Sequence, residues 1–235
     1  MRIARYACIA ACLWLALAAS AADRRETRSL PSFKAIGVSA PIRVELTQGD
    51  ADSLVVEGDE EALAQLETFV ENGALKLRQK TRERVPKLDR VKAYVTARNI
   101  ESLSISGSGY IGSPAIRAAD LQVSISGSGD LRIGQLTARK LDLSVSGSGD
   151  IHVAGTADSV SASITGSGDV KAAKLQAGEV SVSIAGSGAA TLWVRDKLSA
   201  RIAGSGDLRY YGDPPYVSKS IAGSGSVKRA GATPS

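Results

Sequence analysis

From residue 121 onward the chain alternates apolar and polar residues with period two, as in Leu121-Gln122-Val123-Ser124-Ile125-Ser126 and Leu141-Asp142-Leu143-Ser144-Val145-Ser146. Such alternation sends successive side chains to opposite faces, so each stretch predicts a half-buried strand. Each ends on Gly-Ser-Gly, and the triplet recurs with its first glycine at Gly107, Gly127, Gly147, Gly166, Gly186, Gly204 and Gly223. The intervals are 20, 20, 19, 20, 18 and 19 residues. A shorter alternation follows the triplet, as in Asp130-Leu131-Arg132-Ile133, Asp150-Ile151-His152-Val153 and Asp207-Leu208-Arg209-Tyr210. The unit is therefore strand, tight turn, strand, then a looser corner such as Gly134-Gln135 or Gly155-Thr156.

No single unit can bury its own apolar row, so the units must stack, with strands of successive coils pairing in parallel about 4.8 Å apart. Stacking predicts one internal ladder of Ile105, Ile125, Val145, Ile164, Ile184, Ile202 and Ile221. A second, of Leu131, Ile151, Val170, Ala190, Leu208 and Val227, faces it across a narrow core. The fold class that follows is all-β: a single-stranded, right-handed parallel β-helix of about seven Gly-Ser-Gly coils. Right-handedness follows the usual crossover hand, and a period drifting between 18 and 20 residues without a hexapeptide signature argues against the left-handed kind. Six intervals correspond to a rod of about 30 Å. The turn glycines are Gly107 and Gly109, Gly127 and Gly129, Gly147 and Gly149, Gly166 and Gly168, Gly186 and Gly188, Gly204 and Gly206, and Gly223 and Gly225. They suit a corner that needs positive φ or close backbone approach.

Residues 33–99 lack the triplet but carry strand signals at Phe33 to Val38, Ile42 to Thr47, Leu54 to Glu57, Ala74 to Gln79 and Val91 to Thr96, with a short acidic-first helix at Asp59 to Leu66. A stack of coils exposes parallel edges at both ends, so the two termini are expected to cover them. At the far end Tyr210, Tyr211, Asp213-Pro214-Pro215 and Tyr216 interrupt the coil; proline pairs are poor ladder members and bulky rings can plug an open core.

The first residues change the picture of where the protein works. Arg2 and Arg5 precede an apolar run from Tyr6 to Leu17, then Ala19-Ser20-Ala21-Ala22 and the charged Asp23-Arg24-Arg25. That is the pattern of a secretory leader, 1–22, cut after Ala21 or Ala22. Ile9-Ala10-Ala11-Cys12 also has the residue types of a lipobox, which would place lipid on Cys12 instead. Both cysteines, Cys8 and Cys12, lie in the leader, so disulfides are not expected to stabilise the exported chain. The expected organisation is leader 1–22, linker 23–32, β-helix domain 33–229 (non-repetitive 33–99, repetitive 100–229) and a disordered tail 230–235. The protein is expected to be exported, to the periplasm or cell surface of a Gram-negative-type bacterium, with no transmembrane segment after the leader.

The chain of 235 residues carries a formal charge of +5. Without Arg2 and Arg5, 27 basic residues stand against 24 acidic ones, spread along the sequence. That distribution argues against nucleic acid as a partner, which gathers basic residues on one face.

The Ser-Ile-Ser-Gly-Ser-Gly-Asp repeats resemble those of the putative autotransporter adhesin head GIN domain family, a group of exported bacterial β-helix proteins. Phe33-Lys34-Ala35-Ile36, Ile42-Arg43-Val44-Glu45-Leu46 and Asn72-Gly73-Ala74-Leu75-Lys76-Leu77 extend the likeness, which covers about residues 33 to 229. The resemblance implies a β-helix whose triplets turn between sheets and a role in surface adhesion. It supplies no catalytic residues.

Candidate chemistry is weighed against stacking. Asp130, Asp150, Asp169 and Asp207 follow four triplets and form an outward column that invites comparison with calcium-binding repeats; those need a nine-residue period, not one near twenty. Arg132, His152, Lys171 and Arg209 stand two positions on, on the same strand face, so a structural charge ladder is the expected reading. No metal and no cofactor are expected. A β-helix polysaccharide lyase or hydrolase needs converging acids and bases at one irregular place, whereas here they recur at repeat positions and His152 fills a slot held by Arg or Lys in sister coils. No catalytic residue is assigned. The paired serines Ser104 and Ser106, Ser124 and Ser126, and Ser144 and Ser146 form an exposed hydroxyl surface, which a glycan could contact or which stacking alone explains. Tyr110, Trp193, Tyr210, Tyr211 and Tyr216 are a candidate interaction surface, with end-capping as the alternative use. The expected function is a non-catalytic binding, adhesion or envelope scaffold module, with a glycan or an envelope or surface protein as partner; the carbohydrate-active enzyme is the alternative.

Overall fold

The computed structural model describes residues 23–81 and 87–234. The expected leader, with Cys8, Cys12 and the cleavage site, lies outside the described residues. The chain begins with five short elements: β1 (Arg24–Arg28), β2 (Ala35–Ser39), β3 (Arg43–Gln48), β4 (Ser53–Gly58) and the helix α1 (Glu60–Gln65). It continues through β5 (Leu66–Glu71), β6 (Ala74–Gln79), β7 (Lys92–Ala97) and β8 (Ser102–Gly107). Five long strands follow: β9 (Tyr110–Gly127), β10 (Asp130–Gly147), β11 (Asp150–Gly166), β12 (Asp169–Gly186) and β13 (Ala189–Gly204). Three short ones, β14 (Asp207–Tyr211), β15 (Tyr216–Gly223) and β16 (Ser226–Gly231), complete it.

Each long strand pairs in parallel with the next, which makes a parallel β-solenoid. Seven triplets bound six turns, so the expected count of seven coils is corrected to about six; the triplets are the boundaries of the turns. The looser corner also differs from expectation, because 16–18 residues run from one triplet to the next as one hydrogen-bonded strand. The corner survives as register shifts between Ile133 and Leu136, His152 and Gly155, and Ala172 and Gln176. The triplets stay in strict register while those bulges absorb the drift in coil length.

The two glycines of a triplet answer to different needs. Gly147 has φ +122, and a Cβ there would lie 2.4 Å from the carbonyl oxygen of the stacked Gly127. Gly149 has no such φ, but its Cβ would meet the Gly129 carbonyl oxygen at 2.3 Å and the inward Ile125 side chain at 2.7 Å. The serine between them keeps its side chain outside and donates its N–H to the preceding coil, as in Ser148 N to Gly127 O at 2.9 Å. Both predicted ladders form in register. Ile105 through Ile202 are at most 1% exposed in the first, whereas Ile221 is 44% exposed.

The non-repetitive part is two more layers and a cover. β2 stacks in parallel on β8, and β3 on the start of β9, so residues 35–48 form a coil above the first triplet. Ala40, Pro41 and Ile42 take the place of a triplet there, and Tyr110 N donates to Ile42 O. β6 and β7 lie on the other side of β2 and β3. The chain therefore builds the second layer, then the outermost one, and then passes back over both to begin the repeats. β5 pairs antiparallel with β6, β4 with β7, and β1 with β4, which closes the parallel edges at this end.

β1 and β5 are departures from the sequence reading. The stretch 23–32, expected as a linker, contributes β1, whose Arg-Arg-Glu-Thr-Arg has no apolar alternation to find. Ion pairs hold it instead: Arg24 to Glu60 at 2.7 Å and Arg25 to Glu57 at 2.6 Å. Arg28 donates to the carbonyl oxygens of Leu63 and Leu66 and to Thr68 Oγ1. At the other end Ala230 and Gly231, expected in a disordered tail, close β16.

Candidate interaction surfaces

Strand periodicity that buries one row of side chains presents the other row outward in the same register. Ser104, Ser124, Ser144, Ser163 and Ser183 stack in one column, followed by Arg201 and Ser220. Ser106, Ser126, Ser146 and Thr165 stack beside them, followed by Ala185, Ala203 and Ala222. On the other flank Ser161, Ser181, Ser199 and Ser218 continue a column that runs through Ser102, Gln122 and Asp142. Columns repeat about every 4.8 Å along the axis and about 6.6 Å along each strand. The result is a flat grid of hydroxyls and methyls interrupted by Asp142 and Arg201. The serine pairs visible in the first repeats marked it, and the triplet spacing extends it across the later coils.

The charge ladder occupies the strand on the other side of the triplet. Arg132, His152, Lys171, Thr191, Arg209 and Lys228 are in register. Asp130, Asp150, Asp169, Ala189, Asp207 and Ser226 form the column beside them. Lys171 joins Asp150 and Asp169, the latter at 3.5 Å. The Asp150 hydrogen bond holds the Lys171 ammonium above the usual lysine range. His152 Nε2 lies 4.0 Å from Asp150.

The aspartates have a second task that no residue pattern announced: they accept hydrogen bonds from the coil that follows. Asp130 Oδ1 accepts from Asp150 N at 3.3 Å, Asp169 Oδ1 from Ala189 N at 3.0 Å, and Asp207 Oδ1 from Ser226 Oγ at 2.6 Å. These three carboxylates tie their coils to the next at the exit of the turn. Among the described residues no three His, Cys, Asp or Glu side chains gather as metal ligands would.

The aromatic candidates do not converge on one surface. Tyr110 lies at the first coil beneath the Arg43 guanidinium, 4.0 Å from its ring centre. Trp193 and Tyr211 stack on adjacent coils near the other end. Tyr210 turns inward and is 6% exposed, filling the end of the core, while Tyr216 on the last coil is 71% exposed.

Two other features belong to the terminal layers. An open cavity of about 610 Å³ lies between β1, α1 and β5, lined by residues that include Arg28, Leu63 and Thr68; the Arg28 hydrogen bonds described above span it. Asp59 caps α1 by accepting from Glu61 N at 3.2 Å and pairs with Lys87 at 2.7 Å. The hydrogen bond from Lys87 holds the Asp59 carboxyl below its usual range and the Lys87 ammonium above its own. Among the described residues no helix is long and apolar enough to cross a membrane.

A family model described as putative auto-transporter adhesin, head GIN domain, matches residues 32–214. A crystal structure of a putative adhesin from Bacteroides fragilis superposes with TM-score 0.82 at 24% identity, covering 88% of this chain and 96% of that one. A putative lipid binding protein from Parabacteroides distasonis superposes with TM-score 0.73 at 27% identity, covering 90% and 98%. A putative adhesin from Parabacteroides merdae gives 0.71 at 21% identity, covering 90% and 97%. A search of curated proteins finds no match.

Proposed function

We propose a function from one premise: the chain belongs to the putative auto-transporter adhesin head GIN domain family. It acts as a non-catalytic binding module, exported to the periplasm or the cell surface, and the serine grid is the face that binds. The observation that carries this reading is the grid itself, three in-register columns in which serine and threonine predominate and alanine takes over toward the last coils.

A face of this kind matches a partner that is itself repetitive and rich in hydroxyls, such as a polysaccharide chain. Each hydroxyl both donates and accepts, and each contact is weak. Affinity then comes from many equivalent contacts made together. Charge within the grid is confined to Asp142 and Arg201, and the column beside it carries both signs, Asp120 and Glu179 with Lys140 and Lys197, so no single sign of charge favours an ionic glycan over a neutral one. Acids and bases recur at ladder positions, where Asp150 and Asp169 pair with Lys171 and Asp130 and Asp169 accept from backbone N–H groups, which supports a binding role over hydrolysis or elimination.

The test is a glycan array probed with residues 23–235, run beside an assay of reducing-sugar release. Binding without release is expected, and the triple variant Ser144→Glu, Ser163→Lys, Ser183→Glu, whose stacked charges alternate in sign, should abolish it with a nearly unchanged melting temperature. Release of sugar would overturn the non-catalytic reading. Binding that survives the triple variant would remove the serine grid as the site.

A further inference from the structure

The two ends of the solenoid are finished differently, and the end formed by β15 and β16 is left open. Each of these strands pairs on its inner side, β15 with β13 and β16 with β14. Among the described residues no strand covers their outer edges. An open edge of this kind presents unpaired N–H and C=O groups and is a template for one more strand.

The side chains on this edge specify what would fit. Val217, Lys219 and Ile221 are in register with the buried Leu198, Ala200 and Ile202. Val217 is 41% and Ile221 44% exposed, so the core reaches this rung without a cover. Lys219 stands in an inward column that is otherwise apolar: Leu103, Val123, Leu143, Ala162, Val182 and Ala200. Its ammonium lies 5.5 Å from the Tyr210 ring centre and 3.5 Å from the Val227 carbonyl oxygen. Neither is a carboxylate. Beyond Asp213, which pairs with Arg229 at 3.5 Å, the sequence has no acidic residue, whereas Lys219, Lys228 and Arg229 all lie there.

We infer that this end binds an extended segment of a partner protein that adds to β15 as the next strand. The segment reads apolar, any residue, acidic, any residue, apolar. Its carboxylate faces Lys219 and its apolar side chains cover Val217 and Ile221. A second copy of this chain fits poorly: pairing like ends brings Lys219 against Lys219, and at the opposite end β1, Arg-Arg-Glu-Thr-Arg, has no apolar side chain to cover Val217 and Ile221. An anionic membrane would match the charge but would leave the open backbone groups unpaired, which is costly in lipid.

The experiment uses the chain from residue 23 and two labelled peptides, Ser-Val-Ser-Glu-Ser-Ile-Ser-Gly and the same peptide with Lys for Glu, read by fluorescence anisotropy. The Glu peptide should bind about tenfold more tightly than the Lys peptide. The exposed Lys219→Glu variant should reverse that order with an unchanged melting temperature. No binding of either peptide would overturn the inference, as would an unchanged preference in Lys219→Glu. Dimers of the chain alone in light scattering, which would make a second copy the occupant, or binding to phosphatidylserine vesicles alone, would overturn the inference.

Discussion

The N-terminal end and the C-terminal end of this solenoid meet the same physical problem with opposite solutions. Both would leave parallel backbone groups and an apolar core facing water. At the N-terminal end antiparallel β4 and β5 take up the ladder, β1 extends it, and the outermost strand carries charge in place of apolar side chains. At the C-terminal end the ladder stops at β15 and β16, Tyr210 fills part of the core, and Lys219 projects where a small apolar residue would continue the stack. The difference teaches that the repeat alone does not stop itself. One end is closed by chain that departs from the repeat; the other is discouraged from growing by charges in the inward columns of its last coil, Lys219 and Arg229, a device that natural edges use.

The largest effect that separates body from edge should come from the internal ladder. Ile164→Ala removes a fully buried side chain between Val145 and Ile184 and should cost about 2–5 kcal/mol in urea unfolding. Ile221→Ala, in the same column but 44% exposed, should cost less than about 1 kcal/mol. Equal costs would mean that the last rung is as well covered as the centre.

The turns offer the next contrast. Gly147→Ala meets both the positive φ and the stacked Gly127 carbonyl, and should lower stability by about 2 kcal/mol or more. A Cβ on Gly107, with φ +108, meets nothing within 4 Å, so Gly107→Ala should carry only the backbone strain, about 1–2 kcal/mol. Thermal melts of the two variants measure the part due to stacking.

Removing residues 23–29 deletes β1 and leaves the outer edge of β4 open. Concentration-dependent association by light scattering is expected, and a strictly monomeric product would show that β1 does not guard that edge.

The smallest effect concerns the Asp59–Lys87 pair. Because Asp59 titrates lower in the folded chain than its ordinary 3.8, its stabilising share is present above the ordinary value and lost as pH falls through the depressed one. Asp59→Asn should flatten the melting temperature against pH on the acid side only, leaving the neutral range nearly level.

What could be read without coordinates follows from repetition. The columns through Ile125, Val145 and Ile164, the turn glycines and the Asp-to-Lys ladder are all fixed by local pattern once the triplets are aligned. Lys219 was legible in the same way, four residues before Gly223 where sister coils carry Val123, Leu143 and Ala200, yet its consequence depends on its being in the last coil. β1 was not legible, since Arg-Arg-Glu-Thr-Arg becomes a strand only against Glu57, Glu60 and the carbonyl groups of Leu63 and Leu66. Nor was the placement of residues 35–48 between β6–β7 and β8–β9, because β8 pairs with β2 rather than with its sequence neighbour β7.

By itself the sequence determined the coil: period-two alternation and glycines at 18–20-residue intervals permit one way to bury the apolar row, and that requirement acts within and between identical neighbours. Only the tertiary structure decided how the stack begins and ends, which aspartate oxygen ties to which following coil, and which edge stays open. Those outcomes depend on contacts between segments that share no repeat, where the free energy lies in shape, ion pairs and unpaired backbone that no local pattern records.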